Sequence, residues 1–176
     1  MKRSIGLWQL WGFAVTSLLG TILHYLYDLT GKAVWSALFS GVNESTWEHM
    51  KLLFWPMFLY AVFQRFFFRD ISAFWCVKLK GILLGLVLIP VIFCTYNGVI
   101  GSSPDWFNIT IFFLAAAAAY GYETRVLFRG TKKCRFPKLA FTLLCLIGVL
   151  FTVFTFAAPE LGIFRDPLTG TYGITG

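Results

Sequence analysis

Apolar residues fall in five long runs separated by short polar breaks: residues 5–26, 46–68, 80–100, 106–128 and 136–158. A helix needs about 20 such residues to cross the hydrocarbon core of a bilayer, so each run is long enough for one crossing. The pattern predicts an all-α, polytopic transmembrane bundle of five spans, with residues 1–158 forming the transmembrane domain. Between the first two runs, residues 33–42 are an apolar decapeptide too short to cross, expected to form an interfacial or re-entrant helix. Residues 159–176 are rich in turn formers yet carry Ile163, Phe164, Leu168, Tyr172 and Ile174. They are expected to fold as an ordered extracytoplasmic flap over the outer mouth.

Within the runs, spacing suggests which faces meet. Ser17, Thr21, His24 and Asp28 recur at steps of four, three and four, one side of a helix, and are expected to face protein. Gly20 beside them would let a neighbouring helix approach closely. Gly81 with Gly85, the alanines from Ala115 to Ala119, and the row Thr142, Cys145, Gly148, Thr152 and Thr155 read as further packing faces. Pro56 removes a hydrogen bond to the Leu52 carbonyl and is expected to bend the second span. Ser103-Pro104-Asp105 has the form of a helix start.

Composition excludes a soluble domain: 58% of residues are hydrophobic and 13% charged, against about 25% charged in soluble proteins. The fifteen Lys and Arg outnumber eight Asp and Glu, but their placement argues for topology rather than nucleic acid, which is excluded as a partner. Lys2, Arg3, Arg65, Arg69, Lys78, Lys80, Arg125, Arg129, Lys132, Lys133, Arg135 and Lys138 all fall at the start or between spans two and three or four and five. By the positive-inside rule these segments are cytoplasmic, which sets a multi-pass protein in the cell membrane with N-terminus inside and C-terminus outside. Met1-Lys2-Arg3 before an apolar run imitates a signal peptide. That run is too long and lacks a small-x-small site before Tyr25, so it is expected to be a retained span. Cys76, Cys94, Cys134 and Cys145 show no paired ligand spacing, which argues against a disulfide framework or a cysteine zinc site.

The acids sort the other way: Asp28, Glu44, Glu48, Asp105, Glu160 and Asp166 fall outside, with both histidines. The densest polar stretch is Asn43-Glu44-Ser45-Thr46-Trp47-Glu48-His49-Met50-Lys51. Part of it is a helix start, since Ser45 and Glu48 have capping-box spacing. Glu48 and Lys51 share a helix face, with His49 turned about 100° away. Capping alone does not require Glu44, Glu48, His49 and Lys51 together, so this stretch is the expected centre of a site.

Two histidines with nearby carboxylates suit a divalent metal such as zinc, with a spare carboxylate as general base. The expected metal ligands are His24, Asp28, His49 and Asp166, and the expected catalytic groups are Glu44, Glu48 and His49. Three functions follow. The first is a metal-dependent membrane hydrolase or transferase acting on a lipid or lipid-linked substrate drawn from the bilayer. The second is a small transporter or channel with an acidic outer vestibule, feeding a pore at the axis of a homo-oligomer. The third is a non-catalytic partner subunit whose polar cluster only holds the flap. Transport fits less well, because the central portions of the spans show no ionisable residue and no internal repeat. Among specific activities the enzyme leads, since the ionisable groups gather at an interface rather than along a path.

The segment from Asn43 to His49, the following Lys51-Leu52-Leu53 and Pro56, and the tail Asp166-Pro167-x-Thr169-Gly170-Thr171-Tyr172-Gly173-Ile174 resemble a group of small multi-pass membrane proteins of Gram-positive bacteria. That group has no assigned activity. The resemblance covers essentially the whole chain and implies that the central stretch and the tail belong to one design. The motif aspartates of aspartyl lipoprotein signal peptidases are absent, since Asp105 is followed by Trp106-Phe107-Asn108. With two histidines the chain does not reproduce the histidine-rich zinc site of the alkaline ceramidase and adiponectin-receptor superfamily.

Overall fold

The computed structural model describes residues 2–101, 104–130 and 134–175. Ser103, Lys132 and Lys133 lie outside the described residues, as do the side chains of Lys2, Arg3 and Asp105. The fold is all-α: α1 (Lys2–Leu29), α2 (Val34–Ala37), α3 (Thr46–Arg65), α4 (Phe74–Ile100), α5 (Asp105–Arg129) and α6 (Pro137–Phe156), followed by 3-10 turns at Gly162–Phe164 and Gly173–Thr175. Among the described residues, four helices are long and apolar enough to cross a membrane: Ser4–Leu29, Phe74–Ile100, Trp106–Arg129 and Pro137–Phe156. The remaining long helix, α3, packs against α1, α4 and α6. Its first turns carry Glu48, His49 and Lys51, polar groups that a helix shielded by its neighbours can hold.

Local chemistry sets the helix ends. Ser45 caps α3, its hydroxyl accepting the Glu48 N–H at 3.4 Å, and the Asn43 side chain accepts the Ser45 N–H at 3.0 Å. Helices α4 and α5 stop at Gly101 and Gly130, whose φ angles of 96° and 82° suit glycine. Helix α3 runs through Pro56 without a break. The Leu52 carbonyl that Pro56 leaves unbonded faces α1 at Gly20, where an added Cβ would lie 3.3 Å from that oxygen.

The buried face of α1 differs from the expected stripe. It consists of Ile5, Gln9, Gly12, Thr16, Gly20 and Tyr27, whereas Thr21 and Asp28 are exposed and Thr21 bonds back to the Ser17 carbonyl. Smallness rather than polarity decides the seam. A Cβ on Gly12 would lie 2.5 Å from the Tyr120 ring and 2.6 Å from the Tyr60 ring, and one on Gly20 would collide with Phe112. The buried face of α6 is likewise Ala140, Leu144, Gly148, Phe151 and Thr155, with Thr142 exposed. Leu53, Phe54, Met57, Ile82, Ala115, Leu144 and Phe151 form the core between them.

The decapeptide 33–42 holds a short helix of one turn, α2, with Ser36, Ala37 and Ser40 buried and Val34 and Trp35 exposed. Two further expectations are corrected. Helix α4 begins six residues earlier than its apolar run, so Lys78 is not a loop charge. It lies 1% exposed inside the bundle, 2.5 Å from Glu123, which is 0% exposed; mutual neutralisation lets both charges leave water. Cys76 and Cys134 form a disulfide with Cα atoms 6.3 Å apart, within the normal range. Their separation of 58 residues gives no pairing signal in the sequence.

Candidate functional site

Three residues from separate segments meet at one end of the bundle. His24 projects from the last turns of α1, His49 from the first turn of α3, and Glu44 from the loop that enters α3. Glu44 Oε1 lies 3.7 Å from His24 Nε2, and Oε2 lies 3.5 Å from His49 Nε2. One ligand atom from each residue lies within 4.8 Å of the others, and all three residues are half-buried. Nitrogen and oxygen ligands about 2.0–2.1 Å from zinc stand about 3.4 Å apart in a tetrahedron, close to these separations. The His49 Nδ1 is 3.0 Å from the Ser45 carbonyl oxygen. A carbonyl only accepts, so Nδ1 carries a hydrogen and donates it, and Nε2 is the ring atom turned toward Glu44. The cluster is able to coordinate a metal.

Beneath it lies a second polar group. Glu48 and Lys51, 2% and 0% exposed, form an ion pair at 2.5 Å. The Lys51 ammonium also donates to the Ala37 carbonyl at 3.0 Å and to the Thr155 hydroxyl at 2.8 Å. Thr155 in turn donates to Glu48 Oε1 at 2.9 Å. Glu48 Oε2 accepts the Val42 N–H at 3.2 Å, two residues before Glu44. This network joins α2, α3 and α6 and fixes the loop that carries Glu44.

Of the residues singled out in the sequence, the structure brings His24, Glu44 and His49 together. Glu48 faces Lys51 and Thr155 instead. Asp28 is exposed, one turn beyond His24. Asp166 is buried in its own loop, where its carboxylate accepts the Leu168 N–H and the Thr169 hydroxyl, both at 2.9 Å. Thr155 belongs to a row that reads as packing in the sequence; the signal of its part in the site is that it shares a helix face with Gly148 near the C-terminal end of α6.

The triad borders a cavity of about 1000 Å³. Gly20, Leu52, Ile89, Phe93, Ile109 and Phe112 supply apolar walls, Asn97 and Asn108 polar points, and Pro167 and Leu168 reach it from the tail. Phe112 rests on Gly20. The tail is held in place by packing: the Trp47 ring lies tilted against Phe164 and Phe151 with ring centroids 4.6 Å apart in each case.

Residues 1–174 match the model of a family described as "Family of unknown function (DUF6512)". The match spans nearly the whole chain, and the protein belongs to this family. No curated protein and no solved structure matches it.

Proposed function

We propose that this member of the family is a metal-dependent membrane hydrolase or transferase that works on an amphiphile, a lipid or lipid-linked compound, at the outer membrane–water interface. One observation carries the reading: a His24–Glu44–His49 donor set opens on a large cavity whose other walls are mostly apolar. Two histidines and one carboxylate leave coordination positions open, the donor set of catalytic rather than structural zinc. His24, Glu44 and His49 would hold the metal, and the chemistry it would supply there is acidification of a water and polarisation of the bond to be cleaved. The half-buried triad would receive the polar head, and the trough along Leu52, Phe93 and Phe112 the apolar part.

The remaining parts support this arrangement. Helix α3 has 20 residues, about 30 Å at 1.5 Å per residue, enough for a fifth crossing within the ring of apolar helices. Basic residues at one end set the N-terminus in the cytoplasm and the histidine end outside. The tail, residues 159–176, acts as a flap, with Pro167 and Leu168 at the cavity. Glu48, expected as a general base, serves as a positioning residue through Val42 and Lys51, and Glu44 serves as a ligand.

The test is metal content. Purified full-length protein reconstituted with zinc, manganese or iron is expected to retain one ion per chain after desalting, while His24→Ala and His49→Ala keep their helix content and lose the ion. Wild-type protein that retains no ion, or variants that retain it fully, would overturn the proposal.

A further inference from the structure

The register of α1 against α5 brings a neutral amide level with the histidines. An added Cβ on Gly6 would lie 3.3 Å from the Phe128 ring, the Thr16 and Tyr120 hydroxyls share a hydrogen bond at 2.8 Å, and a Cβ on Gly20 would collide with Phe112. The two helices therefore run antiparallel, and one further turn along each sets His24 level with Asn108. Thr21 and Tyr25 on α1 and Ile109 on α5 line the cavity and are exposed, so they are the lips of an opening between these helices. Both helices are apolar enough to cross a membrane, and an opening between them suits entry from lipid.

Charge narrows what can enter. Among the described residues no Lys or Arg lines the cavity, whereas Glu44 does. The three cations at this end of the chain are placed elsewhere. Lys51 is buried against Glu48, the Arg165 guanidinium lies against Gly170 in its own turn, and Lys32 stands in the exposed turn after α1. A phosphate head calls for Arg or Lys donors. Asp28, one turn beyond His24 and within its electrostatic reach, adds a second negative charge to that of Glu44. Together the two acids offset the charge of a divalent ion, so the site as a whole stays neutral. The polar points that remain are Asn97 from α4 and Asn108 from α5. An amide side chain donates and accepts without charge, the complement of a hydroxyl. Asn97 Nδ2 donates to the Phe93 carbonyl at 2.9 Å, which orients that side chain.

Resting on the reading of this cavity as an amphiphile site, though not on the metal, we propose that its substrate carries an uncharged, hydroxyl-bearing head. The head lies between the triad and the amides of Asn97 and Asn108, and these two residues set the specificity.

Native mass spectrometry of the purified full-length protein, treated with zinc, tests it with four probes of equal chain length: an alkylglycerol ether, an alkyl methyl ether, an alkyl phosphate and an alkyltrimethylammonium. The alkylglycerol is expected to bind about tenfold more tightly than each of the others, the worth of one or two hydrogen bonds. Asn97→Leu combined with Asn108→Leu is expected to erase its advantage over the methyl ether, and the ranking in wild type decides alone should that variant not fold. Equal or tighter binding of the phosphate or the ammonium, or an advantage that survives in the folded double variant, would overturn the proposal. Protein that holds no zinc yet keeps the ranking would overturn the metal reading and support this one. Protein that holds zinc and prefers the phosphate would do the reverse.

Discussion

Asn43 donates its side-chain amide to the Gly173 carbonyl, 3.0 Å away, and so ties the loop before α3 to a residue 130 positions later. Gly173 itself has a φ of 61°, and an added Cβ would lie 2.7 Å from the Thr155 carbonyl oxygen. Gly173→Ala therefore meets both backbone strain and a backbone clash. It is expected to destabilise the protein by about 2 kcal/mol or more. Asn43→Ala, which loses its bonds to both Gly173 and Ser45, is expected to loosen the loop that carries Glu44. Thermal unfolding and metal-binding titrations would show the two effects. Unchanged values for both variants would mean that the tail is not joined to the site.

The Glu48–Lys51 pair yields a prediction of opposite signs. Lys51→Met leaves the Glu48 carboxylate buried without its counter-charge, a loss of about 3–5 kcal/mol. Glu48→Leu combined with Lys51→Met removes both charges, and most of that loss is expected to return. A double-mutant cycle in detergent or lipid measures it. The double variant also loses the bond to the Val42 N–H, so its metal affinity is expected to fall even where stability recovers. A double variant with wild-type metal affinity would remove Glu48 from the site.

Much of this was legible in the chain. Run lengths placed all five long helices within a few residues, apart from the start of α4, where Phe74 to Leu79 precede the apolar run. Sorting acids and histidines to one end pointed to His24, Glu44 and His49. What remained hidden depends on helix rotation and on distant partners. The polar stripe of α1 is turned from the expected Ser17–Thr21–Asp28 to Gln9–Gly12–Thr16–Gly20, because the large rings of Tyr60, Tyr120 and Phe112 need small neighbours. Asp166 looked like a ligand, yet hydrogen bonds to Leu168 and Thr169 within its own turn satisfy it. Lys78 looked like a topology signal until Glu123, 45 residues later, supplied the counter-charge.

Metal affinity is expected to depend on pH with a definite sign. An imidazole binds metal only through a free lone pair, so protons compete with the ion at His24 and His49. Affinity is expected to be highest at alkaline pH and to fall on acidification. Isothermal titration with zinc between mildly alkaline and mildly acid buffers would check it. Affinity unchanged across that range would show that the histidines are not ligands.

Orientation follows from charge and is open to direct test. Leu168 is 78% exposed beside the cavity, and Arg69 is exposed in the basic turn between α3 and α4. If basic segments stay in the cytoplasm, a membrane-impermeant thiol reagent applied to intact cells is expected to label Leu168→Cys and to spare Arg69→Cys. Permeabilised cells should show labelling of both. Cys94 and Cys145 are free thiols, and both are replaced in the background chain so that only the new thiol reports. The converse pattern would turn the molecule over. The histidine triad would then draw its metal and its amphiphile from the cytoplasmic leaflet. The internal geometry of the triad would be untouched, so this experiment separates where the chemistry happens from whether the residues are built for it.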